Sequence, residues 1–238
     1  MKHHTHLMIG LFIVTGLLMI GAIVLALGVA PDPVNLATPT ERFAQRIFYF
    51  HVPNWWVGFL AYLVAAVAGA LYLISRQERW DAVGVSSIEV GLTFNTIGLI
   101  SGSIWAKPTW NTWWTWEPRL TTAAIGWLMY VGYLILRSAI ENPQRRARFA
   151  AVFSILAFLD VPVIFLAIRW WRTIHPVVIG AEGGQGVGGF ALGPTIQLVF
   201  FFCLVAFTLL YVTLMLVRLR TEFLSQRVER LRQHLMFR

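Results

Sequence analysis

Residues 7–30 read LMIGLFIVTGLLMIGAIVLALGVA, a run without a single charged side chain. A hydrocarbon core ~30 Å thick selects apolar helical runs of about 20 residues, and this one is long enough to cross. It is also too long for the apolar core of a cleavable signal peptide, roughly 7 to 15 residues, so it is read as a retained first span. Five further runs have the same character, at 55–75, 85–106, 120–136, 149–168 and 196–217. Inside lipid no water satisfies backbone amides, so only helices or closed barrels can span, and none of these runs shows the in–out alternation of barrel strands. The expected fold is therefore all-α, a polytopic membrane protein of six transmembrane helices forming one domain over 1–238.

Composition agrees. Hydrophobic residues make up 58% of the chain and charged ones only 13%, where a soluble domain carries about a quarter. The net charge of +8 does not point to nucleic acid, because the basic residues sit beside apolar spans. An even number of spans puts both termini on one side. That side holds Lys2, Arg76, Arg79, Arg137, Arg145, Arg146, Arg148 and the six arginines of the 218–238 tail, while the other holds only Arg42, Arg46, Lys107, Arg119, Arg169 and Arg172. The excess of positive charge makes the termini cytoplasmic. The single cysteine, Cys203, lies in an apolar run, so disulfide, CxxC and CxxCH chemistry are all excluded. No Walker motif is present, so any ATP use would belong to another subunit.

The outer side has three connections, 31–54, 107–119 and 169–195, of which two are long for connectors within a compact protein. Nine of eleven tryptophans belong to this half. For Trp55, Trp56, Trp170 and Trp171, at span ends, an interfacial aromatic belt is an equally good reading. It does not explain WAKPTWNTWWTWEPR at 105–119, where Trp105, Trp110, Trp113, Trp114 and Trp116 alternate with threonine and proline. Such density builds an apolar, π-rich shelf suited to a flat hydrophobic ligand, and heme fits that description.

Heme needs axial donors, and imidazole is the commonest neutral one. The outer side has two histidines, His51 just before the second span and His175 just after the fifth, flanking the Trp loop in sequence. Both are expected as iron ligands, hanging just above the membrane plane. Lys107, Arg119 and Arg172 lie in the layer where propionates would sit, Arg119 being the first choice because it ends the Trp loop. His3, His4 and His6 form a His-rich tract that is assigned no role. GGQGVGG at 183–189 is read as a linker rather than a phosphate cradle, because no helix start follows in register. Two acids fall within spans: Glu89, near enough to one end to reach water, and Asp160, deep enough that it should face other helices.

Residues 110–121, WNTWWTWEPRLT, resemble the Trp-rich WWD signature of the heme-handling proteins of cytochrome c maturation. The likeness extends to GSIWAKPTW at 102–110, HVPNWW at 51–56 and WWRTIHP at 170–176, in the order found in the heme exporter protein C (CcmC) family, and so covers the six-span body. It implies that His51 and His175 are axial ligands of heme b. It implies further that Trp110, Trp113, Trp114 and Trp116, with Glu117 and Arg119, form the heme and chaperone contact surface. Heme would be presented outside the cytoplasmic membrane to the chaperone CcmE, in a complex with CcmA, CcmB and the small CcmD, by transfer and not by enzymatic bond-making. Three positions depart from the family pattern: Glu117 stands where aspartate is usual, Pro118 where a small residue is, and Asn111 where glycine is. Related WWD proteins of other maturation systems are larger and carry more histidines. The rival readings are a membrane cytochrome b passing electrons to or from quinone, whose ligands would lie within the spans, and a subunit moving heme across the bilayer past Glu89, Asn95 and Asp160.

Overall fold

A computed structural model describes residues 2–32, 38–171, 173–175 and 193–236. The described residues form helices and connections and contain no strand. Six segments are long and apolar enough to cross a membrane: Thr5–Val29, Pro39–Ser75, Glu78–Trp110, Pro118–Ala139, Pro143–Trp170 and Pro194–Arg232. The expected all-α, six-span architecture is what the chain adopts.

The helices overrun the apolar runs because their ends are set by polar caps and not by hydropathy. α1 (Lys2–Val24) closes in a π-turn, Leu25–Val29. The Arg46 guanidinium caps this end, donating to the carbonyls of Ala26 (3.0 Å) and Leu27 (2.6 Å) and to Asp32 (3.1 Å), as cations do at helix C-termini. The next connection is not a plain loop. Thr38 and Glu41 form a reciprocal capping box that starts α2 (Pro39–Ala44). A 3₁₀ turn, Gln45–Ile47, then feeds directly into α3 (Phe48–Ser75). His51 therefore lies within a helix and not before one.

Arg76, in the left-handed conformation (φ 57°), turns α3 back into α4 (Glu78–Trp110). α4 continues past the predicted end at 106, and α5 (Pro118–Ala139) begins before the predicted 120, capped by the Glu117 carboxylate. The Trp-rich connection thus shrinks from 107–119 to 111–117. The fifth span is α6 (Pro143–Phe158) followed, after a break at Leu159, by α7 (Asp160–Trp170). α8 (Pro194–Met236) carries the chain through the expected tail as one helix.

Small residues let α3 and α4 approach closely. A Cβ on Gly91 would lie 2.6 Å from the Ala61 methyl, and one on Gly58 would collide with the Asn95 amide. Small-residue contact of this kind holds helices together where lipid removes the hydrophobic drive. α3 also takes α6, with Gly69 against Ala151 and Ser154, and Tyr62 stacks on Tyr130 of α5 with centroids 3.4 Å apart. α1 rests on α8 through Ala22, Ala26, Cys203 and Ala206, joined by a buried Thr15–Thr213 hydrogen bond of 2.8 Å. Much of its remaining surface, including Leu7, Phe12, Leu17 and Ile20, is exposed, as a lipid-facing helix requires.

The end bearing the termini is held by ion pairs. Arg137 grips Asp81 with two bonds of 2.5 and 3.0 Å. Arg218 binds both Glu89 and Glu222, so Glu89 is a paired residue and not one that simply reaches water. Asp160 faces α5, where a Cβ on Gly126 would collide with its carboxylate, and its Oδ2 is buried without a hydrogen-bond partner among the described residues.

Candidate functional site

At the opposite end, α3, α4, α5 and α7 splay around a cleft enclosing about 560 Å³, part of it open to solvent. It brings together six of the eight site residues expected from the sequence: His51, His175, Trp110, Trp113, Trp114 and Arg119.

His51 is held by α4. A Cβ on Gly102 would lie 2.7 Å from its Cε1, so only glycine there lets the imidazole come this close to the neighbouring helix. Its Nδ1 is 3.1 Å from the Ser101 hydroxyl, which is itself 3.1 Å from the Gly98 carbonyl. A serine hydroxyl has one proton. Spent on the Gly98 carbonyl, it leaves the oxygen to accept from His51, fixing the proton on Nδ1 and leaving the Nε2 lone pair bare. Second-shell partners set histidine tautomers in metal sites in this way. Trp55, one turn further along α3, fits against Gly98 by the same means, its Nε1 2.9 Å from the position a Cβ would take.

His175 is held differently. α7 ends at Trp171 in extended backbone, and the described residues Thr173–His175 are not helical. The His175 amide donates to the Thr173 hydroxyl (3.0 Å), which in turn donates to the Glu117 carboxylate. The second Glu117 oxygen accepts from the Leu120 amide (2.9 Å). One carboxylate therefore caps α5 and ties the Trp loop to the segment bearing His175. The ring itself meets Trp110 edge-on at 6.2 Å. Trp110 leans on Trp105 at 5.1 Å, and the Trp105 indole donates to buried Gln45 (3.3 Å).

The Trp loop is pinned by Ser103, donating to the Trp113 carbonyl (2.7 Å), and by Thr112, donating to that of Trp114 (3.0 Å). Asn111 ends α4 at φ 55°, the conformation that favours glycine and that asparagine tolerates best among the rest. Asparagine thus keeps the turn that the resemblance assigns to glycine. Lys107 donates to the carbonyl and side chain of Asn111 (3.2 and 3.3 Å), so it caps α4. The Arg119 side chain lines the cleft, near enough to the Glu117 carboxylate to feel its charge, and its guanidinium makes no hydrogen bond or ion pair among the described residues. Trp114 is half-buried, and its indole nitrogen has no hydrogen-bond partner among the described residues. Arg172 and the 183–189 run lie outside the described residues.

Two expected residues do not line the cleft. Trp116 turns outward, 76% exposed, touching Trp114 edge-on at 5.7 Å. Glu117 acts from behind, through Thr173. Residues that the sequence reading did not single out complete the site: Ser101 and Gly102 behind His51, Thr173 behind His175, and Phe59, Leu120 and Ile164 among the apolar lining. The four-residue spacing of Gly98 and Gly102 on α4 was the one available signal, since it marks a close helix approach.

Among the described residues no three His, Cys, Asp or Glu side chains gather to hold a bare metal ion. Two imidazoles in an aromatic cleft suit instead a metal that brings its own equatorial donors. Fold and site together define a six-helix membrane protein with a two-histidine, tryptophan-walled cleft at one end of the bundle. The chain belongs to the heme exporter protein C family, whose model matches residues 1–234. It is 33% identical over 210 residues to heme exporter protein C of Bradyrhizobium diazoefficiens, covering 88% of this chain and 78% of that protein. The Escherichia coli K12 protein of the same name is 30% identical over 183 residues, 76% of this chain and 71% of that one. That of Haemophilus influenzae is 30% identical over 194 residues, 78% and 74% respectively.

Proposed function

We propose that this protein carries heme b in the cleft and hands it on during c-type cytochrome maturation. The observation that carries the reading is the convergence on one cleft of two imidazoles and an arginine whose guanidinium makes no hydrogen bond among the described residues. His51 and His175 would supply axial nitrogen, Arg119 would pair a propionate, and Trp110, Trp113 and Trp114 would cover the apolar ring. Offset or edge-on aromatic contacts contribute about 0.5–1.5 kcal/mol each beyond buried area. Heme is cargo here, and the residues bind, orient and release it without breaking a bond.

The positive charge on the side of the termini favours a bacterial cytoplasmic membrane with the cleft on the periplasmic side. There the exposed Trp116 and Trp113 offer a docking surface for a heme chaperone of the CcmE type. The family name supports assembly with CcmA, CcmB and CcmD, in which the ATPase would lie outside this chain. The test is the absorbance spectrum of purified protein beside His51→Ala and His175→Ala variants. Each variant is expected to lose most bound heme or to shift its bands to a mono-histidine form. Wild-type heme content and band positions in both would sink the ligand assignment.

A further inference from the structure

α8 has 43 residues, or ~64 Å at 1.5 Å per residue, twice a ~30 Å hydrocarbon core. Its apolar run ends at Val217, and the helix continues unbroken to Met236. One face of this extension packs on α4: Arg218 pairs with Glu89, and Arg230 with Glu78 at 3.5 Å. Half a turn round the helix, Leu224, Val228, Leu231 and Leu235 are 60–76% exposed. With Val217, also exposed, and Thr221 they fall on the a and d positions of successive heptads, the 3–4 spacing of a coiled-coil seam. Arg220 and Arg227 occupy the flanking g positions and Arg232 an e position. All three are exposed, and none makes a hydrogen bond or ion pair among the described residues.

We propose that this segment is one strand of a heterotypic coiled coil, docking an amphipathic helix of a partner whose flanking positions are acidic. The charge pattern selects the occupant. A parallel second copy would set Arg227 against Arg232, and an antiparallel one would set arginines of like register together, both repulsive. The bilayer surface is disfavoured because the helix continues straight from a membrane span. The seam is under three heptads, short for an independent coil, so the partner helix belongs to a protein already held at the same membrane, where effective concentration supplements the contact.

The test uses the full chain in nanodiscs of neutral or anionic lipid. The probes are two labelled synthetic peptides of about four heptads, with leucine at a and d and either glutamate or lysine at e and g. The Glu-flanked peptide is expected to bind at least about tenfold tighter than the Lys-flanked one. The triple variant Arg220→Glu/Arg227→Glu/Arg232→Glu should reverse that order, and Leu224→Ala/Leu231→Ala should abolish binding of both. These positions are exposed, so the bundle is unaffected. A fluorophore on Val228→Cys, selective because Cys203 is buried, should report water without peptide and burial with it. Equal binding of the two peptides overturns the proposal. So does crosslinking of Val228→Cys into homodimers, or a lipid-immersed fluorophore in anionic nanodiscs before peptide is added.

Discussion

His51 and His175 line the same cleft but are held by different kinds of structure. His51 sits inside a 28-residue helix, close against Gly102 of a second helix, with its Nδ1 3.1 Å from the Ser101 hydroxyl. His175 lies in non-helical chain and is positioned through its backbone, by Thr173 and Glu117, with an indole edge against its ring. One imidazole is fixed by a packed interface and the other by a tether of two hydrogen bonds. A carrier that must both grip its cargo and give it up needs that asymmetry: a preorganised donor lowers the cost of binding, and a tethered one can be displaced first.

The His51 side is most vulnerable at Gly102. Valine there would put its Cβ 2.7 Å from the His51 ring, and the obstacle to relief is a helix backbone on both sides. The imidazole must leave the α4 surface and lose Ser101, and with it the fixed Nε2. Heme titration of Gly102→Val is expected to show at least a tenfold loss of affinity, about 1.4 kcal/mol. Circular dichroism should stay helical, because the position lies at the end of the bundle and not in its core. Near-wild-type affinity would mean that His51 binds iron from another position.

Glu117 sharpens the other half. Replacing it by alanine removes both the α5 cap and the acceptor for Thr173, and caps of this kind contribute about 0.5–2 kcal/mol. Glu117→Ala should lower heme affinity several-fold and weaken the six-coordinate signature in the spectrum, with His51 still bound. Aspartate, one methylene shorter, separates the two jobs. Glu117→Asp is expected to restore thermal stability through the Leu120 cap while leaving the His175 signature weakened, since the reach to Thr173 is lost. If the aspartate variant matches wild type in both, the tether does not position His175.

The six spans were legible because lipid imposes one rule on every residue of a crossing segment: long apolar runs such as 7–30 have no other reading. Helix ends were not legible to the same degree. Once the chain leaves hydrocarbon, α4 stops at Asn111 and α5 starts at Glu117 for reasons of capping, which hydropathy does not register. The cleft was half legible. Tryptophan density and two flanking histidines are visible in the chain, and the structure gathers them. What supports them depends on pairs far apart in sequence, His51 with Ser101 or Thr173 with Glu117, and no local pattern announces such a pair. Trp116 belongs to the same dense run, but the turn after Asn111 sends it outward.

The finest distinction lies in Ser101. Removing its hydroxyl leaves His51 in its groove against Gly102, so packing is kept and only the tautomer is released. The ring then keeps only its backbone hydrogen bond to Gly98, and the proton can redistribute to Nε2, where it must be removed before iron binds. A net hydrogen bond contributes about 0.5–1.5 kcal/mol, and second-shell losses in metal sites cost about 10–100-fold when the metal depends on protein donors alone. Heme brings four equatorial nitrogens and a large apolar area, so the effect of Ser101→Ala is expected near the lower bound, about fivefold in affinity. Ser101→Thr should restore it, since threonine offers the same oxygen and can make the same backbone bond. The discriminating measurement is nitrogen chemical shifts of His51 in the heme-free protein. A protonated Nδ1 in wild type and a mixed population in the alanine variant are expected. An unchanged tautomer in the variant would assign the fixing of His51 to the Gly102 groove alone.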